Sequence, residues 1–490
     1  MEYVYNRLEM LAEIWYTENG VRALAYSYEY TDDGQVYEYH DHKSGYVYVN
    51  KYDRSNRLVS SVRYDENDYK YDLSKGLSYD SNNRISAIHY YLKCASSGEM
   101  FNYHWYYVTS YVNGGMLDWV SLTSGSTSIS ESFEYDGYGR LTATNNTMIG
   151  NNGVFYNDVY YQYGVKYNAG EYTATGLVSE YISVVNQEEA HSFNYEYDDE
   201  DRIVLAWTYD SDDYVEYEYD KIGQLVSVKD TILDRYYEYT YDASGNILTK
   251  KIYSFVNDQI GSLISTDNYT YANSEWKDVL TSYKGVTITY DEIGNPISYY
   301  NGSSYSFTWS GRQLKSATKN GVTYSFKYDE GGYRTQKSYN GTTTKYYYDG
   351  DQLIAEETNG NVTVYLYNSS GEPIGMQYHA ATSGEYEWES YWYERNLYGD
   401  IISVYSEAGI KLVSYTYDAW GNATVAYHNG GASTRAASNP FTYRGYYYDS
   451  HLGLYYLGTR YYDPNTCRFV NADSMISGVS GSLEGYNLFA

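Results

Sequence analysis

The sequence predicts an all-β protein made of short antiparallel hairpins. The stretch YEYTYDASGNILTKKIY, residues 237–253, shows the first observation behind this prediction. From Tyr237 to Tyr241 every second residue is Tyr, and strand side chains alternate between faces with period two. Asp242 then opens a turn in which Gly245 takes the positive φ that most residues avoid. The stretch is therefore typical of a β-hairpin.

The second observation is that this unit recurs along the chain. An aromatic residue precedes each turn, and between Tyr271 and Tyr367 these residues are 19 or 20 positions apart. One hairpin cannot bury its face alone, so neighbouring units must pair to stabilise each other. The predicted turn residues are Asp220, Gly223, Asp242, Gly245, Asp291 and Gly294. The aromatic residues expected at one register position, as a ladder, are Tyr290, Trp309, Tyr328, Tyr348 and Tyr367.

The third observation is the composition. Leu, Ile, Val and Phe make up roughly 18 % of the chain, which together with a net charge of −30 would fit a disordered protein. However, 75 of the 490 residues are Tyr, which favours strands and combines an apolar ring with a polar tip. Such strands suit a sheet whose two faces both touch water, so a hollow or single-layer β architecture is predicted.

The charge and the terminal sequence exclude several classes of protein. Asp and Glu outnumber Lys and Arg by 64 to 34, which argues against nucleic acid as a partner. Two cysteines, Cys94 and Cys467, do not make a disulfide framework. No apolar run is long enough to predict a membrane span. The N-terminus begins in mid-pattern without a signal peptide, so we interpret the chain as a fragment with an added Met.

Two short regions allow other interpretations. Leu8, Leu11, Ala12 and Trp15 are spaced as on a helix, although the same segment also fits a degenerate repeat. Residues 429–440, NGGASTRAASNP, are small and polar and are predicted to form a linker.

Beyond the hairpin pattern, the chain resembles a known family. The unit Tyr-Asp-x-x-Gly-x-Leu/Ile is similar to the YD repeat of RHS proteins. Residues 392–422 look like the last repeats of that family, and residues 439–474 look like the RHS-associated core. The core resemblance rests on Gly453, Leu454, Tyr455 and Tyr456, followed by Arg460, Tyr461, Tyr462, Asp463, Pro464, Arg468 and Phe469.

The resemblance implies an architecture and a function. RHS proteins wind a β-hairpin strip into a hollow shell or spiral that the core closes at one end. We therefore expect residues 1–391 to form the shell and residues 392–490 to form the last repeats and a core that stops before the cleavage and toxin region. The resemblance implies a secreted or surface protein of bacteria that encloses or presents a variable C-terminal polypeptide, often a toxin. A second shell-forming or delivery protein is a further implied partner.

The alternative is a binding module. Exposed Tyr and Trp could form an adhesin that binds cell-wall glycan or choline. Rings laddered between neighbouring strands would indicate a wall, whereas open clusters of two or three rings would indicate ligand sites.

No catalytic residue and no cofactor are predicted. The family's self-cleavage is attributed to an aspartyl-protease-like pair, and only Asp473 matches such a carboxylate, with Glu484 as a conceivable partner. The chain ends before the segment where self-cleaving members are cut, so we expect no self-cleavage. Arg460, Asp463 and Arg468 are expected to be structural. Cys467 occupies a position where many RHS cores have Gly, so we interpret it as a small residue rather than a reactive thiol.

No metal site is predicted either. His40 and His42 place two imidazoles on one strand face, but no third ligand is identifiable from sequence. Asp210–Asp213 resembles a Ca²⁺ cluster, yet Tyr214 stands where the third ligand of an EF-hand would belong.

Overall fold

A computed structural model describes the chain except residues 19, 67–70, 97–98, 113–115, 125–126, 169–170, 209–210, 212, 384–386, 474–488 and 490. The described residues form strands and three short 3₁₀ turns, and none of them lies in an α-helix. The prediction of a nearly all-β protein is therefore confirmed. None of the described helical segments has the length and apolar character needed to cross a membrane.

The strands between residues 2 and 270 have four to sixteen residues, and the two longest lie between residues 153 and 185. They are β1 Glu2–Tyr5, β2 Leu11–Glu18, β3 Val21–Tyr30, β4 Val36–Asp41, β5 Tyr46–Tyr52, β6 Leu58–Asp65, β7 Tyr71–Tyr79, β8 Ile85–Ser96, β9 Glu99–Tyr111, β10 Leu117–Ser124, β11 Thr127–Tyr135, β12 Leu141–Gly150, β13 Gly153–Asn168, β14 Glu171–Val185, β15 Glu188–Tyr197, β16 Ile203–Thr208, β17 Tyr214–Tyr219, β18 Leu225–Asp230, β19 Arg235–Tyr241, β20 Ile247–Val256 and β21 Gln259–Thr270.

The remaining strands have two to eight residues each. They are β22 Ser282–Tyr283, β23 Val286–Thr287, β24 Thr289–Tyr290, β25 Pro296–Tyr300, β26 Ser304–Ser310, β27 Gln313–Lys319, β28 Val322–Tyr328, β29 Arg334–Tyr339, β30 Thr342–Asp349, β31 Gln352–Thr358, β32 Asn361–Tyr367, β33 Pro373–His379, β34 Glu389–Arg395, β35 Ile401–Ser406, β36 Lys411–Tyr417, β37 Ala423–Tyr427, β38 Tyr447–Asp449, β39 Leu454–Leu457, β40 Arg460–Asp463 and β41 Arg468–Phe469.

Strands that follow one another in the sequence pair antiparallel. In β19 and β20, for example, Tyr237 faces Ile252 and Thr240 faces Thr249, with one register shift just before Tyr241. The same arrangement joins β4 to β5 and β5 to β6. The predicted hairpin strip is therefore confirmed, and because β2 starts at Leu11, the helical alternative for the first segment is wrong.

The described residues group into two compact units. One comprises residues 1–133, 146–154 and 325–391, and the other comprises residues 134–145, 155–324 and 392–490. In the first unit, Ile14, Ala25 and Tyr26 form one buried cluster. In the second unit, a buried cluster consists of Val228, Tyr237 and Tyr239.

Tyrosine is not confined to wet surfaces. Tyr346, Tyr347 and Tyr365 of the first unit are each only 1 % exposed. In β33 all seven residues are buried, so both faces of that strand are covered. The expectation of a sheet wet on both faces is therefore wrong here, because tyrosine rings pack as core residues once their surroundings exclude water.

The predicted linker is also more ordered than its composition indicated. Gly431–Ser433 and Arg435–Ser438 form two consecutive 3₁₀ turns in the second unit. Ala436 is completely buried, and His428 N donates to Leu412 O of β36 at 2.8 Å. Small side chains here allow close backbone packing rather than free movement.

Candidate functional site

The repeat turns are built around one aspartate side chain. Asp242 Oδ1 accepts hydrogen bonds from the backbone N–H groups of Ser244 and Asn246, both at 2.9 Å. Gly245 N donates to Asp242 O at 3.2 Å and has φ 86°, in the left-handed region. Side-chain bonds of this kind satisfy the backbone of a tight turn without any distant partner.

The other two predicted turns have the same geometry. Asp220 Oδ1 accepts from Ile222 N and Gln224 N, and Asp291 Oδ1 accepts from Ile293 N and Asn295 N, all within 3.0 Å. Gly223 has φ 90° and Gly294 has φ 82°. The predicted positive φ is thus confirmed at all three glycines.

Many of the tyrosines that precede a turn bond to an earlier hairpin. Tyr241 Oη donates to the carbonyl of Leu225 at 2.6 Å, and Tyr219 Oη donates to that of Ile203 at 2.9 Å. The hydroxyl, which Phe lacks, therefore links successive repeats. Other pairs with this bond are Tyr30–Leu11, Tyr52–Val36, Tyr79–Leu58, Tyr163–Leu141, Tyr197–Val178, Tyr290–Leu280, Tyr367–Leu353 and Tyr417–Ile401.

Sequence reasoning missed this hydroxyl bond and expected ring-to-ring ladders instead. The shared register is confirmed, because each of the five aromatic residues immediately follows a register shift in its strand pair. At Trp309 the indole Nε1 replaces the tyrosine hydroxyl as the donor, and it bonds to Pro296 O at 2.7 Å. The signal available in sequence was the Leu or Ile that follows each turn, whose carbonyl accepts the bond in several repeats.

The segment that resembles the RHS core forms a small sheet within the second unit. Its strands β38 to β41 pair in sequence order, with Tyr455 facing Tyr462 and Tyr456 facing Tyr461. Tyr455 Oη donates to Gly421 O at 2.8 Å, and Tyr462 Oη donates to Trp420 O at 3.0 Å. These hydroxyls attach the core segment to the turn after β36.

Asp463 is buried at the centre of this attachment. Tyr299 Oη of β25 donates to Asp463 Oδ2 at 2.9 Å, and Asn465 N donates to Asp463 Oδ1 at 3.0 Å. Burial raises the pKa of the Asp463 carboxyl, and these hydrogen bonds oppose the rise. The next residue, Pro464, accepts a bond on its carbonyl from Asn422 Nδ2 at 2.9 Å.

The two core arginines have different surroundings. Arg468 is buried and donates to Tyr271 Oη at 2.6 Å and to the carbonyl of Asp278 at 2.7 Å. Arg460 lies over the Phe469 ring, 3.5 Å from its centroid. Arg468 therefore fastens the core segment to the repeats, and Arg460 packs within the core sheet.

Asp473 contacts a guanidinium. Its Oδ2 lies 3.4 Å from Arg460 Nη1, and both side chains remain partly exposed. An aspartyl-protease pair brings two carboxyl groups together, whereas this contact pairs a carboxylate with a guanidinium. Glu484, the conceivable partner, lies outside the described residues.

Cys467 has the geometry of a glycine position. Its φ is 57°, and its side chain is buried. Burial raises the pKa of the thiol to about 12, although the Lys250 ammonium, 3.7 Å from Sγ, acts in the opposite direction. The thiol is therefore neutral near pH 7.

The histidine pair has a third potential ligand that the sequence did not reveal. Glu66 lies beside His40 and His42, and one ligand atom from each residue lies within 4.8 Å of the other two. Glu66 follows β6, two strands after β4, so only the strand pairing brings it near. In the segment that resembles a Ca²⁺ cluster but was not predicted to bind a metal, Asp210 and Asp212 lie outside the described residues.

Comparison with known proteins supports these observations. The family model described as RHS Repeat matches residues 219–254. The tRNA3(Ser)-specific nuclease WapA of Bacillus spizizenii is 30% identical over 198 residues, which is 40% of this chain and 8% of that protein. Residues 219–254 are therefore an RHS repeat. Double-stranded DNA deaminase toxin A of Burkholderia cenocepacia is 33% identical over 84 residues, 17% of this chain and 6% of that protein.

Solved structures show the same fold. This chain matches the structure of the Photorhabdus luminescens Tc holotoxin pore with a TM-score of 0.61 and 15% identity, over 99% of this chain and 28% of that one. The crystal structure of TcdB2-TccC3 matches with a TM-score of 0.55 and 14% identity, over 99% and 30%. The chain spans only about 8% of the length of the WapA relatives.

Proposed function

We propose that this chain is the shell-forming part of an RHS-type polymorphic toxin or related secreted YD-repeat protein, and that it encloses or presents a C-terminal polypeptide. We propose residues 1–391 as the repeat shell and residues 392–490 as the last repeats and core. The nuclease and deaminase activities in the names of the relatives would then belong to the enclosed polypeptide, and this chain would have no enzymatic activity of its own. A delivery protein at the bacterial surface would be its partner.

The observation that carries this proposal is the attachment of the core segment to the repeat strands. Tyr305 Oη and Lys319 Nζ both donate to Leu452 O at 2.7 Å, and Tyr299 donates to the buried Asp463. Arg468 adds a bond to the carbonyl of Asp278. A polypeptide that continues after this segment would leave from a fixed point on the repeats rather than from a free tail.

The adhesin alternative has less support. Its ligand sites would need open aromatic clusters, whereas the tyrosines before the turns direct their hydroxyls to backbone carbonyls of earlier hairpins. These contacts link neighbouring hairpins to one another, as expected of a structural wall rather than of a ligand site.

A protease-protection experiment tests the proposal. A small reporter polypeptide is fused after Ala490 in one protein and before Met1 in another, and both are exposed to a non-specific protease. We expect the C-terminal reporter to survive at least tenfold longer than the N-terminal one, and to lose this advantage in urea that unfolds the chain. Equal rates of cleavage in native buffer would contradict enclosure.

A core variant tests whether the attachment matters. Tyr299→Phe removes the hydroxyl that donates to Asp463 while keeping the ring, so we expect faster cleavage of the C-terminal reporter. Tyr138→Phe, at an 82% exposed tyrosine, is the matched control and should leave the rate unchanged. Identical rates in both variants would show that this bond does not hold the core segment.

A further inference from the structure

We propose that His40, His42 and Glu66 bind a divalent transition-metal ion, with Zn²⁺ as the best fit. The three residues lie in the first compact unit, at the end of β4 and just after β6. Two imidazoles and one carboxylate are a ligand set that suits Zn²⁺, whereas Ca²⁺ and Mg²⁺ require mainly oxygen ligands.

The ligand atoms already converge. His42 Nδ1 lies 3.0 Å from Glu66 Oε1, and His40 Nδ1 lies 3.6 Å from the same oxygen. Two ligands bound tetrahedrally at about 2.0 Å from a zinc ion are about 3.3 Å apart. Both separations are therefore within a few tenths of an ångström of that value, and a small rotation of the side chains would admit the ion. The fourth position would remain for water.

The far nitrogen of each ring also has a partner. His40 Nε2 lies 2.9 Å from Glu38 Oε1, and His42 Nε2 lies 3.0 Å from Ser27 Oγ. The Glu38 carboxylate can only accept, so it favours the His40 tautomer with its hydrogen on Nε2 and a free Nδ1. The Ser27 hydroxyl can accept from His42 Nε2 in the same way when Nδ1 binds a metal, and such partners typically accompany metal-binding histidines. A simple ion pair between Glu66 and one histidine would not require both rings to be oriented in this way.

The backbone holds the ligands in register. His40 faces Ser27 across the β3–β4 pair, and His42 N donates to Ala25 O at 3.0 Å. Glu66 N donates to Gly45 O at 2.9 Å, in the turn between β4 and β5. The three side chains are between 25 and 33 % exposed, so an ion can enter from solvent. A bound ion would link the end of β4 to the end of β6 across β5.

Metal titration of the full-length chain tests the site. The protein is stripped with a chelator, and Zn²⁺ binding is measured by calorimetry and Co²⁺ binding by visible absorption. We expect one tight equivalent, and Co²⁺ bands typical of tetrahedral nitrogen and oxygen ligands. His42→Gln and Glu66→Gln should each weaken Zn²⁺ binding at least tenfold. Ser27→Ala should weaken it about tenfold and keep the stoichiometry, because it removes only the supporting partner.

The matched control is His428→Gln, since His428 Nε2 also meets a serine hydroxyl, Ser414 Oγ, at 2.9 Å. This variant should bind Zn²⁺ like the wild type. Circular dichroism without metal checks that every variant is folded, and any unfolded variant is replaced by His40→Gln. Equal binding by all variants would show adventitious binding to the many surface carboxylates, and no tight equivalent in the wild type would also overturn the proposal.

Discussion

Two groups of repeat turns use the same aspartate loop in different ways. In the arginine turns the fourth residue after Asp is Arg, and its Nε donates to Asp Oδ2 at 2.7 or 2.8 Å. In the asparagine turns that residue is Asn, and its Nδ2 donates to the same oxygen at 2.8 to 3.0 Å. The arginine turns are Asp53–Arg57, Asp80–Arg84, Asp136–Arg140 and Asp198–Arg202, and the asparagine turns are Asp242–Asn246, Asp291–Asn295 and Asp418–Asn422.

The arginine turns and the asparagine turns differ in what the fourth residue contacts besides the aspartate. Each arginine lies over a tyrosine ring of the following repeat, with 4.0 to 4.7 Å between the guanidinium carbon and the ring centroid. Each asparagine instead donates a hydrogen bond to an oxygen outside its own turn, as Asn295 does to Gly311 O and Asn422 to Pro464 O, both at 2.9 Å. The arginine side chains are 25 to 31 % exposed, whereas Asn295 is fully buried.

The same aspartate loop can therefore lie at an open surface or at a covered one, with a different fourth residue in each case. An arginine at an open turn keeps its charge in water and covers the next tyrosine. The same charge under another chain segment would lose its hydration, which costs several kcal/mol. A neutral amide is therefore the group that can satisfy the aspartate where the turn is covered.

Exchanging Asn and Arg at the fourth position should give the largest difference in stability between the two groups of turns. Asn295→Arg places a charge in a buried site and removes the bond to Gly311 O, so we expect a loss of more than about 3 kcal/mol in the free energy of unfolding. The reciprocal Arg57→Asn, at an open turn, should cost only a small fraction of that. Urea unfolding of both variants measures the difference, and equal losses would contradict the distinction between the turns.

The turn glycines should show a graded effect. At Gly294 an added Cβ would lie 2.5 Å from the Trp276 ring, whereas at Gly245 the nearest atom, Gln224 Nε2, is 3.2 Å away. We expect Gly245→Val to cost more than about 1 kcal/mol because of its positive φ, and Gly294→Val to cost more still. Thermal unfolding of the two variants checks the order. An unchanged midpoint for Gly245→Val would count against the turn geometry.

The tyrosine hydroxyls should contribute a smaller amount each. Tyr241→Phe removes the bond to Leu225 O at an asparagine turn, and Tyr219→Phe removes the bond to Ile203 O beside an arginine turn. We expect each to cost about 1 kcal/mol. Tyr138→Phe, at an exposed hydroxyl, is the control and should cost almost nothing. If all three variants matched the wild type, the hydroxyl link between repeats would have no energetic role.

The stability contributed by an exposed carboxylate and by a buried one should change in opposite directions with pH. The hydrogen bond from Arg57 holds the pKa of Asp53 below its usual range, so its stabilisation is present above the unfolded pKa and is lost as the pH falls. Burial raises the pKa of Asp230 to about 7, so its favourable contribution is present in acid and is lost as the pH rises through 7. We expect Asp230→Asn to reduce the fall in thermal midpoint between pH 5 and pH 8. An unchanged slope would show that Asp230 ionises freely.

Much of the fold could be predicted from interactions between residues that are close together in the sequence. The alternation of Tyr237 to Tyr241 and the Asp242–Gly245 turn depend on contacts within a few residues, so the hairpins and the left-handed glycines follow directly from sequence. The repeat spacing then specifies the shared register of Tyr290, Trp309 and later members. The resemblance of residues 439–474 to a family core was likewise visible before any coordinates.

The local sequence pattern therefore predicts the hairpins, their turns and their order along the strip. Three features become visible only in the folded chain: the carbonyls to which the tyrosine hydroxyls bond, the covering of both faces of β33, and the contact of Glu66 with His40 and His42. The two kinds of feature differ in the sequence separation of the residues that produce them. A turn is specified by side chains a few residues apart, whereas Glu66 reaches His42 only after three strands have paired in one register. Water exclusion at β33 likewise depends on segments distant in sequence, and alternating residues cannot encode which of them will cover a face.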